Sequence, residues 1–395
     1  MSTISRAIRW LESMLVTPDG SQGIYERYRI NLNRINPWVR PDCCLESART
    51  FYAAGQLERG VQLAAYACSL QDRGDGFANG SFPFYVFRPW MPGERDIGEG
   101  FGIPDLPNFR WHNDQGKIAE YLLWFSRQTA DPSFEQAAVA LLEYLLRAQD
   151  EDGAFTRTPR GHNPHFRAAD FVAWGAVALS RAAPLDHDGR FACGAHQALR
   201  WLHKHMHPSG RMLTGWETAQ FEPWRPPASE TAVALHAFAQ GYWQFQTPWM
   251  LEALHRLAQT LVAWQHSSGG IRNTDNASRA AALQNDPDMA DFVYVNSYAL
   301  IALQEAYAVT GEAIYQTSAK RLAAFLVEVQ CRHEAPAWDG AWRGSYHLER
   351  QIWYGSADPS NDLEEGGMNA VYTGWCAAPI AFGLHCLSQG GAGLF

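Results

Sequence analysis

Apolar residues recur along this chain with the three-to-four-residue spacing of an amphipathic helix. That spacing predicts twelve helices, near residues 4–15, 42–55, 57–70, 113–128, 133–149, 167–182, 190–206, 229–244, 248–265, 291–309, 312–330 and 368–388. Convincing strand patterns are few, and only "FPFYVF" at 82–87 is compatible with local strand pairing inside a long loop. The pattern therefore predicts an all-α protein.

A similar turn follows several of these helices. "QDRGDGF", "QDEDGAF" and "QHSSGGI" begin at Gln71, Gln149 and Gln265. Together with related turns they centre on the glycines at 20, 76, 153, 210, 269 and 340. Glycine is common directly after a helix because it adopts left-handed backbone angles without strain. Six such units span the sequence, so we expect six helical hairpins that close into a toroid, a single domain over residues 1–395 with inner and outer helix rings.

This succession of helix, Q-x-x-x-G-like turn and helix resembles the (α/α)6 toroid superfamily. Its members include six-hairpin glycoside hydrolases, polysaccharide lyases, sugar epimerases and terpene-cyclase-like proteins. The resemblance implies an active site at the mouth of the toroid, where the inner helices near 42, 113, 167, 229, 291 and 368 would begin. It does not select one activity, because one fold supports many chemistries.

Tryptophan is concentrated in the loops that would surround this mouth. Eight of the 16 Trp lie there, at positions 38, 90, 111, 216, 224, 338, 342 and 353. Flat aromatic faces beside polar groups suit sugar rings, so we expect Trp111, Trp224 and Trp342 to bind a saccharide. The alternative is that these side chains only pack the long loops onto the toroid.

The basic residues are biased towards arginine, since only three of the 32 are Lys. The arginines at 40, 110, 160, 225 and 343 fall in predicted mouth loops, and the guanidinium group binds carboxylates through a planar fork. We therefore expect Arg160 and Arg225 to bind a uronic-acid-containing oligosaccharide. Genome composition alone could also produce the bias.

Acidic residues near the predicted helix starts are candidates for glycosidic-bond hydrolysis, which uses a pair of carboxyl groups. Asp114 in "WHNDQGK" follows an aromatic loop, with His112 as a predicted substrate contact, and Glu365 precedes two glycines. We expect these two carboxyl groups to face each other as the catalytic pair. Asp42, Glu230 and Asp291 are better explained as first-turn carboxylates that stabilise helix N-termini.

A lyase or epimerase would need a proton-abstracting base and neutralising groups for the substrate carboxylate. "RGHNPHF" supplies Arg160, His162 and Asn163, and "YVNSY" supplies Tyr294 and Asn296. His162 and Tyr294 are the candidate catalytic groups of this alternative, and Asn163 and Asn296 are candidate substrate contacts. The plainer interpretation of the first segment is a polar loop around a proline turn.

Other function classes are disfavoured by composition. A net charge of −9 argues against nucleic acid as the main partner, and seven scattered cysteines argue against a disulfide framework. No apolar run is long enough to span a membrane and no signal peptide is evident, so the cytoplasm is the expected location. "GWCAAP" with His385 departs from a zinc motif, and "DPDMAD" departs from the acidic cyclase motif, so neither a metal nor another cofactor is expected.

The sequence thus predicts a carbohydrate-active toroid, with glycoside hydrolysis as the leading activity. A lyase or sugar epimerase is the second hypothesis, and a non-catalytic carbohydrate-binding toroid is the third.

Overall fold

A computed structural model of the chain describes residues 1–96, 105–219, 227–273, 288–355, 367–391 and 393–395. Its α-helices are α1 Thr3–Ser13, α2 Pro41–Ala53, α3 Leu57–Ser69, α4 His112–Thr129, α5 Pro132–Ala148, α6 Ala169–Ala182, α7 Arg190–Lys204, α8 Gly215–Ala219, α9 Pro227–Phe245, α10 Pro248–Ala263, α11 Asn296–Thr310, α12 Ala313–Val329 and α13 Ala378–Ser388. Apart from the five-residue α8, each helix corresponds to one of the twelve predicted segments.

The helices form two concentric rings, as an (α/α)6 toroid requires. The inner ring runs α2, α4, α6, α9, α11 and α13, each helix packs on the next, and α13 packs back on α2. The outer helices α3, α5, α7, α10 and α12 each pack on the inner helix that precedes them, and α1 packs on α13. The last hairpin therefore joins the two ends of the described chain and closes the ring.

The predicted turn glycines all have positive φ angles, from 83° at Gly20 to 112° at Gly76. In four of these turns a glutamine ties neighbouring outer helices together. Gln149, for example, donates through Nε2 to the Gly153 carbonyl at 3.2 Å and to the Gly194 carbonyl of α7 at 2.9 Å. Glutamines 71, 265 and 330 make the same paired contact to their own turn and to the next outer helix.

Strands are more extensive than the sequence pattern suggested. One sheet has the order β3-β2-β1-β9, from β1 Tyr25–Arg29, β2 Arg34–Val39, β3 Val86–Phe87 and β9 Ala370–Tyr372. A second sheet joins β6 Met289–Asp291, β7 Ser345–His347 and β8 Ile352–Trp353, and β4 Arg157–Thr158 pairs with β5 Gly161–His162.

These strands correct two predicted helix starts and one predicted pairing. The helices expected near 291 and 368 begin at Asn296 and Ala378, because 289–291 and 370–372 pair as strands instead. Of "FPFYVF", only Val86–Phe87 pairs, and its partner is the distant β2 rather than a local segment. Contacts between segments far apart in sequence decided these cases, and a local pattern does not reveal them.

Candidate active site

Polar contacts join the first turns of the inner helices at one end of the toroid. Arg40, directly before α2, is buried and binds three carboxylates. Its Nη1 donates to Glu26 Oε1 at 2.9 Å, its Nε and Nη2 donate to Asp42 at 3.1 and 3.0 Å, and Nη2 also donates to Asp114 Oδ2 at 2.8 Å. Although burial opposes its charge, Asp114 and Asp42 raise the pKa of Arg40 well above its usual value.

Below Arg40, a fully buried lysine occupies the toroid axis. Lys117 Nζ lies 3.0 Å from Glu46 Oε2, 3.5 Å from Asp42 Oδ2 and 3.2 Å from the ring centroid of Trp375. Burial acts to raise the pKa of Asp42, but Arg40 and Lys117 outweigh it and lower that pKa below its ordinary value. Asp42 is therefore ionised at neutral pH.

The backbone is strained at the start of the sixth inner segment. Trp375 has φ 60° and ψ −28° within the π-helical stretch Thr373–Ala377, and bulky residues rarely adopt positive φ. Its backbone N–H donates to Glu46 Oε2 at 2.7 Å, and its indole Nε1 donates to Asp42 Oδ2 at 2.6 Å. These charged acceptors hold a conformation that costs of the order of 1–3 kcal/mol.

The next two inner helices add further carboxyl groups to the mouth. Asn113 of α4 donates through Nδ2 to Asp170 Oδ2 of α6 at 3.1 Å. Glu230 of α9 accepts a 2.6 Å hydrogen bond from the backbone N–H of Asp170, so it caps the neighbouring helix. Carboxyl groups from α2, α4, α6 and α9 thus lie together at the mouth, each in the first turn of its helix.

A second charged cluster lies deeper along the axis. His236 Nδ1 lies 2.5 Å from Glu305 and its Nε2 lies 3.4 Å from Glu120, while Arg181 and Arg49 lie 3.3 and 3.7 Å from Glu120. Burial alone would lower the pKa of His236, but Glu305 and Glu120 raise it to about 9. Arg181 and His236 lower the pKa of Glu120 to about 2 against the effect of burial. The cluster joins five inner helices, α2, α4, α6, α9 and α11, through charged contacts.

The structure places Asp114 in the mouth, but three other predicted site residues lie outside the described part of the chain. They are Glu365, Trp224 and Arg225. Trp111 is half-buried in an aromatic cluster with Phe109, Phe166 and Phe171. Tyr294 is half-buried, with its ring centroid 5.6 Å from that of Trp375, so it borders the mouth.

Three predicted substrate contacts face the protein interior instead. His112 is fully buried, with Nδ1 2.6 Å from the Phe155 carbonyl and Nε2 3.0 Å from the Tyr144 hydroxyl, and burial lowers its pKa to about 4. Asn296 Oδ1 accepts from the backbone N–H of Ile271, and its Nδ2 donates to the carbonyl groups of Ile271 and Asp291.

Trp342 has no exposed surface and donates to the Leu326 carbonyl of α12. We correct these three assignments, because polar groups and aromatic faces that are already occupied by the protein offer no surface to a sugar.

The segment that contains Arg160, His162 and Asn163 forms an exposed hairpin and turn before α6. Arg160 pairs with Asp105 at 3.1 Å, with side chains that are 45% and 53% exposed. His162 is also exposed, 3.9 Å from Asp150, and Asn163 Oδ1 caps the following turn by accepting from the His165 N–H. These residues lie at the rim, separate from the buried carboxyl groups.

The other described arginines of the predicted mouth loops already have partners. Arg40 is held as described above, Arg110 contacts Ser81 and Asp72, and Arg343 contacts Glu334. Four residues of this end of the toroid were not predicted from the sequence: Asp170, Lys117, Glu46 and Trp375. Asp42 and Glu46 are four residues apart, which places both carboxyl groups on one face of α2, and this spacing was the available signal for Glu46.

In the described ranges, no group of three or more His, Cys, Asp and Glu side chains is arranged to hold a metal ion. Every helix within those ranges is too short or too polar to cross a lipid bilayer.

No protein-family profile matches the chain, and a search of curated proteins found no similar sequence. Solved structures do match over almost the whole length. Cellobiose 2-epimerase from Bacillus thermoamylovorans has 10% identity and a TM-score of 0.68, over 98% of this chain and 96% of its own. D-mannose isomerase has 11% identity and a TM-score of 0.64, over 96% and 95%.

A family 76 α-mannanase from Bacteroides thetaiotaomicron has 11% identity and a TM-score of 0.63, over 98% and 94%. A related α-1,6-mannanase from Salegentibacter, solved with α-1,6-mannotriose as an inactive variant with two adjacent aspartates replaced by asparagine, has 11% identity and a TM-score of 0.57, over 100% and 99%. At these identities the likeness establishes the fold: the chain is an (α/α)6 toroid of the kind found in sugar epimerases, sugar isomerases and mannanases.

Proposed function

We propose that this protein is a carbohydrate-active enzyme that hydrolyses a glycosidic bond at the mouth of the toroid. The observation that carries the proposal is the group of carboxyl side chains that α2, α4, α6 and α9 bring together there. Hydrolysis requires one carboxyl group to donate a proton and another to be ionised. The structural neighbours that act on sugars, and the inactive mannanase that lacks two aspartates, support this reading.

Within the described residues, Asp114 and Asp170 are the pair we assign to the reaction. Asp114 accepts from the Arg40 guanidinium, which favours its ionised form, and the Asn113 amide holds Asp170 on the neighbouring helix α6. Asp170 would protonate the leaving glycosidic oxygen as the bond to the anomeric carbon breaks. Asp114 would activate the water that adds to that carbon, or attack it directly.

The other described carboxyl groups at the mouth bind protein groups and are not assigned to the reaction. Asp42 is held by Arg40, Lys117 and Trp375, and Glu230 caps α6, so both organise the site. The pairing of Glu365 with Asp114 stays a proposal, because Glu365 lies outside the described residues.

The finer proposal is that the substrate is an oligosaccharide that contains a uronic acid. Arg160 supports it, because its ion pair with Asp105 is exposed on both sides and such pairs contribute only about 0–1 kcal/mol. Arg160 could therefore pair with a substrate carboxylate in place of Asp105. Arg160→Ala should raise KM for a uronate-containing substrate about tenfold and leave KM for its neutral counterpart unchanged. An equal change for both substrates would exclude uronate recognition by this residue.

A sugar epimerase or a lyase is the second candidate, since epimerases and isomerases share the fold. Tyr294 borders the mouth and could serve as its base, with His162 at the rim. Hydrolysis is favoured because the described first turns of the inner helices present carboxyl groups, while the ring nitrogens of His112 are both engaged.

The test is to incubate the protein with α-1,6-mannotriose, cellobiose and a panel of uronate-containing glycans. Shortened saturated products indicate hydrolysis, an ultraviolet-absorbing unsaturated uronate indicates a lyase, and an isomeric sugar of unchanged size indicates an epimerase. No product with retained binding would indicate a binding protein.

If hydrolysis is found, Asp114→Asn and Asp170→Asn should each lower kcat about 10²–10⁴-fold in a protein that is still folded at the assay temperature, as a measurement of Tm would check. Asp188→Asn, on the exposed loop before α7, serves as the control and should leave kcat unchanged. Near-normal turnover in Asp114→Asn, with turnover lost in Tyr294→Phe or His162→Ala, would replace the hydrolase proposal by the lyase or epimerase alternative.

A further inference from the structure

Asn113 has an unusual position in the mouth. It belongs to the first turn of α4, directly before Asp114, and only 2% of the residue is exposed. Its Nδ2 donates to Asp170 Oδ2 on the neighbouring helix α6. Its Oδ1, however, is buried without a hydrogen-bond partner.

The orientation of this amide is fixed by its neighbour. The proton that Asp170 would give to the substrate belongs on its other oxygen, Oδ1, so Oδ2 is an acceptor, and a turned-over amide would bring two acceptors together. The nitrogen therefore points to Asp170, and the oxygen is the atom that remains to be satisfied. A buried acceptor without a donor costs about 1–3 kcal/mol, so a donor that reaches it contributes directly to binding.

We infer that Asn113 recognises a sugar hydroxyl, which donates to Oδ1, while Nδ2 positions the carboxyl group of Asp170. This inference rests on the proposed function, because it assigns a substrate contact to the same mouth. A hydroxyl is the matching chemistry: it is a neutral donor and needs no counter-charge beside Asp114 and Asp170. One residue would then couple recognition of the sugar to the placement of the proton donor.

The inference separates Asn113 from a purely structural amide. A structural amide would affect folding, and all substrates would suffer equally when it is removed. A hydroxyl-recognising amide would instead make the enzyme sensitive to one hydroxyl group of the substrate, because sites built to bind a hydroxyl discriminate strongly against analogues that lack it.

The experiment uses the glycan that the wild-type protein cleaves and its monodeoxy analogues, each with one hydroxyl of the bound sugar replaced by hydrogen. Asn113→Ala should lower kcat/KM about tenfold to a hundredfold on the parent glycan. One deoxy analogue should be poor for the wild type and should lose little more with Asn113→Ala, as in a double-mutant cycle. Asn113→Asp should also shift the pH profile, because it adds a carboxyl group beside Asp114 and Asp170.

Asn79→Ala, an exposed turn residue, is the matched control and should change neither kcat/KM nor Tm. The inference is overturned if Asn113→Ala lowers kcat/KM equally on every analogue, or if its only effect is a lower Tm.

Failure of the proposed hydrolysis would be visible separately, as a wild type that cleaves no glycan. In that case the binding of α-1,6-mannotriose and cellobiose is measured by tryptophan fluorescence. Binding by the wild type that weakens at least tenfold in Asn113→Ala supports the inference, and no binding of either sugar overturns it.

Discussion

Glu46 shows how single residues stabilise charge inside this toroid. It is buried on α2 and accepts hydrogen bonds from Lys117 Nζ, from the backbone N–H of Trp375, and from the hydroxyl groups of Tyr121 and Tyr298. A buried carboxylate is very costly unless it is paired and fully hydrogen-bonded. The four donors come from α4, α11 and the start of the sixth inner segment, so this one residue is satisfied only when the ring is assembled.

His236 makes a residue-scale prediction about pH. Its pKa is raised from 6.5 to about 9 in the folded protein by Glu305 and Glu120, against the effect of burial. A raised pKa means that the stabilisation is fully present below pH 6.5 and is lost as the pH rises through 9. Unfolding by denaturant between pH 6 and pH 10 should therefore show a decrease of the order of 3 kcal/mol in the free energy of unfolding from this group. His236→Gln should be less stable at pH 6 and should lack most of this decrease, and an unchanged slope would contradict the assignment.

At the scale of elements, the turn glycines have two different reasons to be glycine. Gly76 and Gly153 have similar positive φ angles, 112° and 102°. A Cβ atom at Gly76 would meet nothing within 4 Å, whereas at Gly153 it would lie 2.2 Å from the Gln197 carbonyl oxygen of α7. The turn at Gly76 needs glycine only for its backbone angle, whereas the turn at Gly153 also needs it because α7 leaves no space for a Cβ atom.

These two glycines form a matched pair for a prediction. Gly76→Ala should cost about 1 kcal/mol of stability, because only the left-handed backbone angle is penalised. Gly153→Ala should cost about 1–3 kcal/mol more, because α7 must move away from the turn. Denaturant unfolding of both variants measures the difference, and equal losses would show that close packing between outer helices is unimportant there.

Helices could be predicted from the sequence more readily than sheets. The twelve helices and their turns followed from local spacing and from glycine, because those signals lie within one segment. The sheets β3-β2-β1-β9 and β6-β7-β8 did not, since their pairing joins segments up to several hundred residues apart. For the proposed site, Asp114 could be predicted from its aromatic surroundings, whereas Asp170 and Lys117 could be recognised only from their neighbours on other helices.

At the scale of the whole molecule, the contact of α1 with the rest of the outer ring differs from the contacts between the other outer helices. We call this junction, between α1 and the turn after α12, the seam. Most outer helices follow their inner partner after a short loop, but α1 packs on α13 from the far end of the described chain. Gln330 bridges this seam by donating to the Gly340 carbonyl at 2.7 Å and to the Thr3 carbonyl of α1 at 2.9 Å. The Trp10 indole also donates across it, to the Ala337 carbonyl at 2.9 Å.

The seam leads to the last prediction, which compares Gln330→Met with Gln149→Met. Both substitutions preserve the side-chain volume, and each removes two hydrogen bonds, one to the glutamine's own turn and one to the next outer helix. Each should therefore lower the free energy of unfolding by about 1–3 kcal/mol. Only at the seam is the bridged helix not connected to its inner partner by a short loop, so local opening should be confined to α1 in Gln330→Met. Hydrogen exchange measured by mass spectrometry should show faster exchange of the amides of Thr3–Ser13 in that variant, with α7 protected in both. If α7 in Gln149→Met loosens as much as α1 does in Gln330→Met, the seam has no special role and every outer-helix contact is equivalent.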